Sequence, residues 1–438
     1  GHEYLPEVAQ AGGAAALVET VDPTVDLPQI VVTDGRRAAA FAAAEFFGDP
    51  WERMTLVGVT GTNGKTTSAA ILRHLLSVTK AAASIGTLGA VGADGRVIPG
   101  TEGLTTPGPV EVARWLRRLD RDGVETVAME VSSHALHQAR TAAVRFDAAL
   151  FTNLSRDHLD YHETLEEYRA AKLRLLGLLA VDGAAVVNAD DPSWSGIGAD
   201  APRSLRFAVE SPDADVRAAD LRFDALGAHF RLETRDGTAP VDLPLLGSYN
   251  VHNALAAATA CFALGFSVEQ VVAGLESLPQ VPGRLERISE RPCPVLRDYA
   301  HTPDALERVI TALKQVTTGR VIVVFGAGGD RDHGKRPQMG EVASRLADVV
   351  VVTSDNPRTE DPDRIIDEIM AGVDRADAVR ITDRREAIGH ALGLAGAEDV
   401  VLLAGKGHET YQVLGTETVP FDEREIVREW IEARGAAG

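Results

Sequence analysis

Short β-branched runs alternate along most of this chain with stretches of helical spacing. Thr55–Val59, Glu125–Val131, Ala148–Asn153 and Ala184–Asn188 read as strands, and Lys65–Lys80, Pro109–Asp120, Leu165–Leu179 and Asn250–Leu264 as helices. Continuously apolar strands separated by helices predict a mostly parallel sheet covered on both faces. Strictly alternating positions at Leu221–Phe223 and His229–Glu233 predict an antiparallel excursion. A Pro/Gly stretch, Pro279-Gln280-Val281-Pro282-Gly283, interrupts the pattern. Strands then resume at Val295–Tyr299, Val321–Phe325, Val349–Thr353 and Val400–Leu403, with a helix expected after each and a last one near Glu423–Arg434. That second run has Rossmann-like character. Ahead of both, residues 1–50 offer two strand pieces, Gly12–Val18 and Gln29–Val32, and an Ala-rich helix Arg36–Phe47 stopped by Gly48-Asp49-Pro50. So thin a core predicts a partial or minimal domain. The expected division is residues 1–50, 51–282 and 283–438.

Composition narrows the partners. At 438 residues the chain exceeds one compact core. Its 44 basic and 64 acidic residues give a net charge of −20, which argues against a nucleic-acid partner. No apolar run approaches the ~20 residues that span a bilayer, and no leader pattern opens the sequence, so no membrane partner and a cytoplasmic location are expected. Cys261 and Cys293 have no metal-site spacing, and Cys261 reads as a small buried apolar residue in a helix. An acidic protein that handles anions must concentrate Lys, Arg and Mg²⁺ locally.

Leu56 to Thr67 shows how. A buried strand runs into Thr60-Gly61-Thr62-Asn63-Gly64 and a helix opens at Lys65-Thr66-Thr67. Gly61 and Gly64 allow backbone N–H groups to face phosphate oxygens, and the helix N-terminus adds positive potential. Lys65 is suited to the outer phosphates of ATP and the Thr66 hydroxyl to Mg²⁺. The usual phosphate-loop spacing wants glycine at Val59, so the match is offset.

Other strand ends carry further candidates. Glu130 closes a strand where open α/β sheets place ligand groups; alone it is a solvated acid, but beside a phosphate loop a metal role is favoured. Asn153 to His162 crowds two histidines and two aspartates into one turn. That spacing suits a cation, zinc included, or a capped polar loop, and His158 is the chosen ligand. Lys172 reads as a helix lysine reaching solvent. Asn250 and Asn253 suit helix caps, and the amide of Asn253 also suits an adenine edge. Asp298 stands ready for a ribose hydroxyl, and Thr302-Pro303 reads as a cap with proline at the first helical position. Lys335 and Arg336 sit in a second glycine turn. Together with Asp355 and Arg358 on the next strand end and Glu409 on another, Arg336 describes a pocket for a zwitterionic amino acid. Polar loop rims are the plainer reading of each alone.

These stretches together resemble the Mur ligases. TGTNGKTT at 60–67, EVSSHAL at 130–136, TNLSRDHLDYH at 152–162, YNVHNALAAA at 249–258, PGRLE at 282–286, DYAHTPD at 298–304, GGDRDHGKRP at 328–337, DNPR at 355–358 and GKGHE at 405–409 carry the resemblance, from about residue 30 onward. In that family TGTNGKT is the usual phosphate loop. The resemblance implies an α/β, three-domain Mur ligase architecture: a partial N-terminal domain, a central P-loop ATPase-like parallel-sheet domain and a C-terminal Rossmann-like domain. It also implies a monomeric, ATP-dependent ligase that adds a diamino acid to UDP-MurNAc-L-Ala-D-Glu through an acyl phosphate. Gly61, Thr62, Asn63, Gly64, Lys65, Thr66, Thr67, Asn253, Arg284 and Asp298 would contact ATP. Thr66, Glu130, His158 and Lys172 would serve Mg²⁺, Lys172 as a CO₂-derived carbamate, and Lys65, Glu130, His158 and Lys172 would be the catalytic set. Thr105, Thr106, Ser132, Gln138 and Arg140 would hold the muramoyl-dipeptide. Arg336, Asp355, Asn356, Pro357, Arg358, Gly405 and Glu409 would hold the diamino acid. DNPR looks like the form that favours meso-diaminopimelate, although lysine or ornithine would suit a slightly altered pocket. The family's uridine-holding domain normally begins well before residue 1, so a truncated N-terminus is expected. A folylpolyglutamate synthetase-like ligase shares the phosphate loop, and a non-catalytic nucleotide-binding protein is the alternative from another class.

Overall fold

Seven strands that share buried backbone organise the first part of the molecule. The computed structural model describes residues 1–435, which divide into two compact units. The first holds residues 1–217, 233–238 and 252–274, and the second holds 218–232, 239–251 and 275–438. In the first, the order is Arg203–Ala208, Leu179–Asn188, Phe146–Phe151, Thr55–Thr60, Thr126–Glu130, Ala82–Gly86, Gly89–Val91. All neighbours run parallel except the last pair. Thr55–Thr60 is central, with Leu56, Val57 and Val59 fully buried, as expected of a β-branched run covered on both faces. Its Val59 lies opposite both Glu130 and Leu150. Three strands therefore end side by side, and the loops that follow them converge.

Helices cover this sheet with stripes legible in sequence. Pro109–Arg121 buries Val112, Ala113, Leu116 and Leu119, and Lys65–Leu76 buries Ile71, Leu72, Leu75 and Leu76. Several elements differ from expectation. Ala82–Gly86 and Gly89–Val91 are buried strands without a β-branched run, made strands by their neighbours. The helix expected to reach Leu179 stops at Leu173 and tightens into a 3₁₀ turn over Arg174–Leu178, which contains Gly177. The antiparallel excursion is larger than its pattern, with three strands, Val216–Asp224, Gly227–Thr234 and Gly237–Leu243, joined by two-residue turns. Near the N-terminus, Ala16–Val18 pairs parallel with Gln29–Val31 over a small cluster of Leu5, Val18 and Leu27. The helix Gly35–Phe47, capped by Asp34, sends Ala40, Ala43 and Ala44 into the same core as Leu116 and Phe151.

The second unit has a sheet of its own, ordered Glu286–Ser289, Val295–Asp298, Val400–Ala404, Val321–Phe325, Val349–Val352, Val379–Arg380. Only the first strand is antiparallel. Thr302 caps Pro303–Val316, its Oγ accepting from Ala305 N at 3.3 Å with proline at the helix start, as the sequence implied. No helix directly follows Val400–Ala404. A hairpin, Tyr411–Leu414 with Glu417–Pro420, intervenes around Gly415 at φ 61°. Helix Glu423–Gly435 closes the unit.

Candidate active site

In the first unit the phosphate loop is held from the neighbouring strand end. Thr62 N donates to Asn153 O at 2.7 Å, Asn63 N to Asn153 Oδ1 at 2.9 Å, and Thr152 Oγ to Asn63 O at 2.7 Å. A Cβ on Gly61 would fall 1.8 Å from Thr152 Oγ, and one on Gly64, at φ 84°, 2.2 Å from Asn253 Oδ1. Only glycine permits this close approach of backbone to neighbour. Val59, the offset position, is a buried strand residue. Lys65 Nζ bends back onto Gly61 O (2.9 Å) and Thr62 O (2.8 Å). The structure thus places Gly61 to Thr67 at the start of a helix, as the phosphate-cradle reading requires.

Glu130 is buried and tied to that helix: Thr66 Oγ donates to its Oε2 at 3.0 Å. Thr87, which the sequence reading missed, donates to Oε1 from its N–H at 2.8 Å and to Oε2 from its hydroxyl at 3.2 Å. Thr87 follows the strand that had no pattern of its own. Thr105 Oγ lies 3.2 Å from Thr87 Oγ, and Thr106 Oγ donates to Glu130 O at 2.9 Å and accepts from Ser132 N at 2.9 Å. Arg140 Nη1 reaches Thr106 O at 2.7 Å, while its Nε and Nη2 share Gln138 Oε1 at 3.0 and 2.7 Å. Thr105, Thr106, Ser132, Gln138 and Arg140 are therefore one connected patch beside Glu130.

Lys172 departs from its sequence reading. It does not reach solvent: it is 1% exposed, its Nζ donates to Gly61 O at 2.6 Å, and it lies 4.2 Å over the Tyr168 ring. Burial and nearby Lys65 push its ammonium well below the ordinary lysine value. His158, at φ 54°, begins the short helix Leu159–His162. Burial, then Lys65 and Lys172, pull its imidazolium down against an opposing pull from Asp157. Among the described residues no group of three His, Cys, Asp or Glu side chains gathers, and the His158 ring lies 4.8 Å from that of His134, edge-on. Asn253 lies inside helix Ser248–Ala263 rather than capping it, facing Gly64 and accepting from Ser68 Oγ at 3.3 Å. Asn250, likewise inside, donates to Leu246 O at 2.8 Å.

In the second unit, Arg284 stacks 4.8 Å over the Tyr299 ring. Asp298 accepts from Leu285 N at 2.7 Å and Ala300 N at 2.8 Å, and burial raises its carboxyl against the pull of Arg284. Asp355, Asn356, Pro357, Arg358, Gly405 and Glu409 follow the ends of Val349–Val352 and Val400–Ala404, the two strands that flank Val321–Phe325. Asn356 Nδ2 donates to Glu409 Oε2 at 2.8 Å, and a Cβ on Gly405 would lie 2.3 Å from Asp355 Oδ2. Lys406, unremarked in the sequence reading, is fully buried between Asn356 Oδ1 and Glu409 Oε2, 3.1 Å from each. Arg358, at φ 51°, donates to Gly329 O at 2.8 Å.

Arg336 requires a correction. It opens helix Lys335–Leu346 rather than lying in the turn, is fully buried, and forks onto Glu360 (2.9 Å) and Glu368 (2.8 Å). Its charge is already matched by the protein's own carboxylates. Arg331, in contrast, is exposed in the preceding loop, and a Cβ on Gly328 would meet Arg358 Nη1 at 2.9 Å and Arg331 Cγ at 3.7 Å. Arg336 Nη2 also donates to Gly328 O at 3.2 Å, so Arg331, Arg336 and Arg358 all lie beside this loop backbone.

A phosphate loop on a parallel sheet, with strand-end loops rich in arginine and acid on a second, defines a nucleotide-binding α/β enzyme. The Mur ligase middle domain matches residues 59–261, and the Mur ligase glutamate ligase domain matches residues 283–407. The chain is 46% identical over 446 residues to a UDP-N-acetylmuramoyl-L-alanyl-D-glutamate--2,6-diaminopimelate ligase from Geobacillus kaustophilus, covering 99% of this chain and 90% of that one. A solved structure of a ligase of that name aligns at 36% identity and TM-score 0.71, covering 98% of this chain and 89% of the other. A MurF ligase from Thermotoga maritima, solved with ADP, shares the fold at 21% identity and TM-score 0.69, covering 99% and 91%. The chain belongs to the Mur ligase family.

Proposed function

We propose that this protein is an ATP-dependent amide ligase joining meso-2,6-diaminopimelate to UDP-MurNAc-L-Ala-D-Glu in the cytoplasmic synthesis of peptidoglycan precursor. The observation that carries this is the 46% identity, across 99% of the chain, to a ligase named for that reaction. The loops of both units fit it. No helix among the described residues is long and apolar enough to cross a membrane.

The chemistry divides between the two sets of loops. Backbone N–H groups after Thr60 and the Lys65 ammonium would hold the triphosphate, with Asn253 beside the same loop. Thr105, Thr106, Ser132, Gln138 and Arg140 would orient the dipeptide so that its terminal carboxylate meets the γ-phosphorus. That carboxylate oxygen attacks, ADP leaves, and an acyl phosphate forms, with Lys65 spreading the developing charge. The amine of the diamino acid then attacks the acyl carbon, an amide forms, and inorganic phosphate departs with a proton released. Asp355, Asn356 and Glu409 suit the ammonium group, and Arg358, with Arg331 beside it, suits a carboxylate; Arg336 supports them by holding Glu360.

Mg²⁺ fits the first unit, where the Thr66 hydroxyl and Glu130 carboxylate are hard oxygen donors 3.0 Å apart. Bound there, it would neutralise phosphate charge. Lys172 would complete the set as a carbamate: burial and Lys65 lower its ammonium, which favours the neutral amine that would add to CO₂, lose a proton and supply an anionic oxygen.

Phosphate release across a panel of diamino acids, with and without UDP-MurNAc-L-Ala-D-Glu, tests the assignment. Release that needs both the muramoyl-dipeptide and diaminopimelate is expected. Release that needs folate and glutamate instead would establish the folylpolyglutamate reading, for which similarity at 19% identity supports the fold alone. ATP binding with no amide product from any substrate set would leave a nucleotide-binding protein.

A further inference from the structure

Tyr161 lies outside every role assigned above, yet it holds the patch around Arg140. It belongs to the short helix Leu159–His162, and one face of the neighbouring helix Ser133–His137 rests on it. His134, His137 and Gln138, spaced i, i+3 and i+4, all touch it. The His134 ring lies 4.2 Å from the Tyr161 ring and the His137 ring 5.4 Å away, edge-on. The Tyr161 hydroxyl sits 2.9 Å from His137 Nδ1 and accepts from Gln138 Nε2 at 3.1 Å. With its NH₂ end so engaged, Gln138 turns its carbonyl oxygen to Arg140, where Nε and Nη2 donate to it.

Arg140 makes no ion pair with a carboxylate among the described residues. Among the described residues its remaining side-chain hydrogen bond is Nη1 on Thr106 O, and Thr106 is bonded to the Glu130 backbone and to Ser132. Its cation is therefore directed by one amide and one carbonyl. The amide's orientation depends on the phenol.

We propose that Tyr161 is a positioning residue for the UDP-linked substrate: its hydroxyl fixes the Gln138 amide, which in turn aims the Arg140 guanidinium. The inference rests on the reading that Gln138 and Arg140 receive that substrate. The ring contacts with His134, His137 and His162 would be kept by phenylalanine, so a purely packing role and a hydroxyl role separate cleanly.

The test is steady-state kinetics of Tyr161→Phe, Gln138→Ala and the double variant, varying each substrate in turn. Loss of one hydrogen bond predicts a KM for UDP-MurNAc-L-Ala-D-Glu raised about 3–10-fold, with kcat and the KM for ATP and diamino acid within about twofold. In the Gln138→Ala background the Tyr161→Phe effect should vanish, because the tyrosine acts through that amide. An unchanged KM in Tyr161→Phe, an equal loss in all parameters, or an effect that persists in full without Gln138 would each overturn the proposal. A wild-type enzyme that forms no amide from these substrates would instead overturn the functional reading beneath it.

Discussion

Lys172 is a cation placed where a cation is least favourable: it is 1% exposed, and no carboxylate pairs with it among the described residues. Burial and Lys65 act in the same direction, and the small opposing pull of Asp157 does not reverse them. Both favour a neutral amine beside the Gly61 carbonyl, and the carbamate proposed above is what CO₂ would make of it. Wild-type protein equilibrated with ¹³C-bicarbonate should therefore show a carbamate carbon resonance that Lys172→Ala lacks. The variant should lose ligation by about 10²–10³-fold, the usual scale for removing one electrostatic stabiliser, and recover part of it with added formate or acetate. A fully active variant would remove the carbamate from the mechanism. Nothing in Tyr168-Arg169-Ala170-Ala171-Lys172 announced this. A helix lysine is normally solvated, and only the tertiary approach of Lys172 to Gly61, far away in sequence, takes it out of water.

Helix Lys335–Leu346 carries an arginine whose charge is met beneath the glycine turn rather than in it. Arg336 leaves the glycine turn for the first turn of the helix and crosses to Glu360 and Glu368 on the far side of the next strand end. Its hydrogen bonds are the main cause holding the Glu360 carboxyl down at about 2 from its ordinary 4.5. A depressed acid stabilises the folded state fully above its unfolded value and loses that contribution as pH falls toward its folded one. The stabilisation from this pair should thus be complete above pH 4.5 and disappear between there and about 2. Arg336→Met strands two carboxylates, an expected loss of about 3 kcal/mol at neutral pH, shrinking as they protonate. Thermal melts of both proteins from pH 7 to pH 3 check this, and a pH-independent gap would refute it. The sequence made the composition of this element visible but not its partners: Glu360 and Glu368 lie well along the chain, and no local pattern couples them to Arg336. Where local pattern and tertiary demand agree, as in Thr55–Thr60 or the Thr302 cap, the element was legible. Ala82–Gly86, whose strand state comes from its neighbours, was not, and Thr87 was lost with it.

At the scale of the whole molecule, the same principle serves both units: parallel strands end together, and the loops that follow supply the chemistry. The strand–turn–helix order made the phosphate loop readable despite its offset glycine, because Val59 is a strand residue and the turn begins only after Thr60. The division of labour predicts that the two half-reactions can be separated by mutation. Reversible formation of an acyl phosphate exchanges bridging and non-bridging oxygens of ATP labelled with ¹⁸O, and it requires the muramoyl-dipeptide but no diamino acid. Arg358→Ala leaves every residue of the phosphate loop intact, so its oxygen scrambling should stay within about twofold of wild type. Product formation should fall by at least about 10²-fold, as expected when a charged hydrogen-bonding partner of a bound carboxylate is removed. Lys65→Ala should lose scrambling and product together, because the charge it spreads develops in the first step. If Arg358→Ala instead lost scrambling in proportion to product, the arginine would be acting on the phosphoryl transfer itself, and the strand-end loops of the second unit could no longer be read as a site for the incoming amino acid alone.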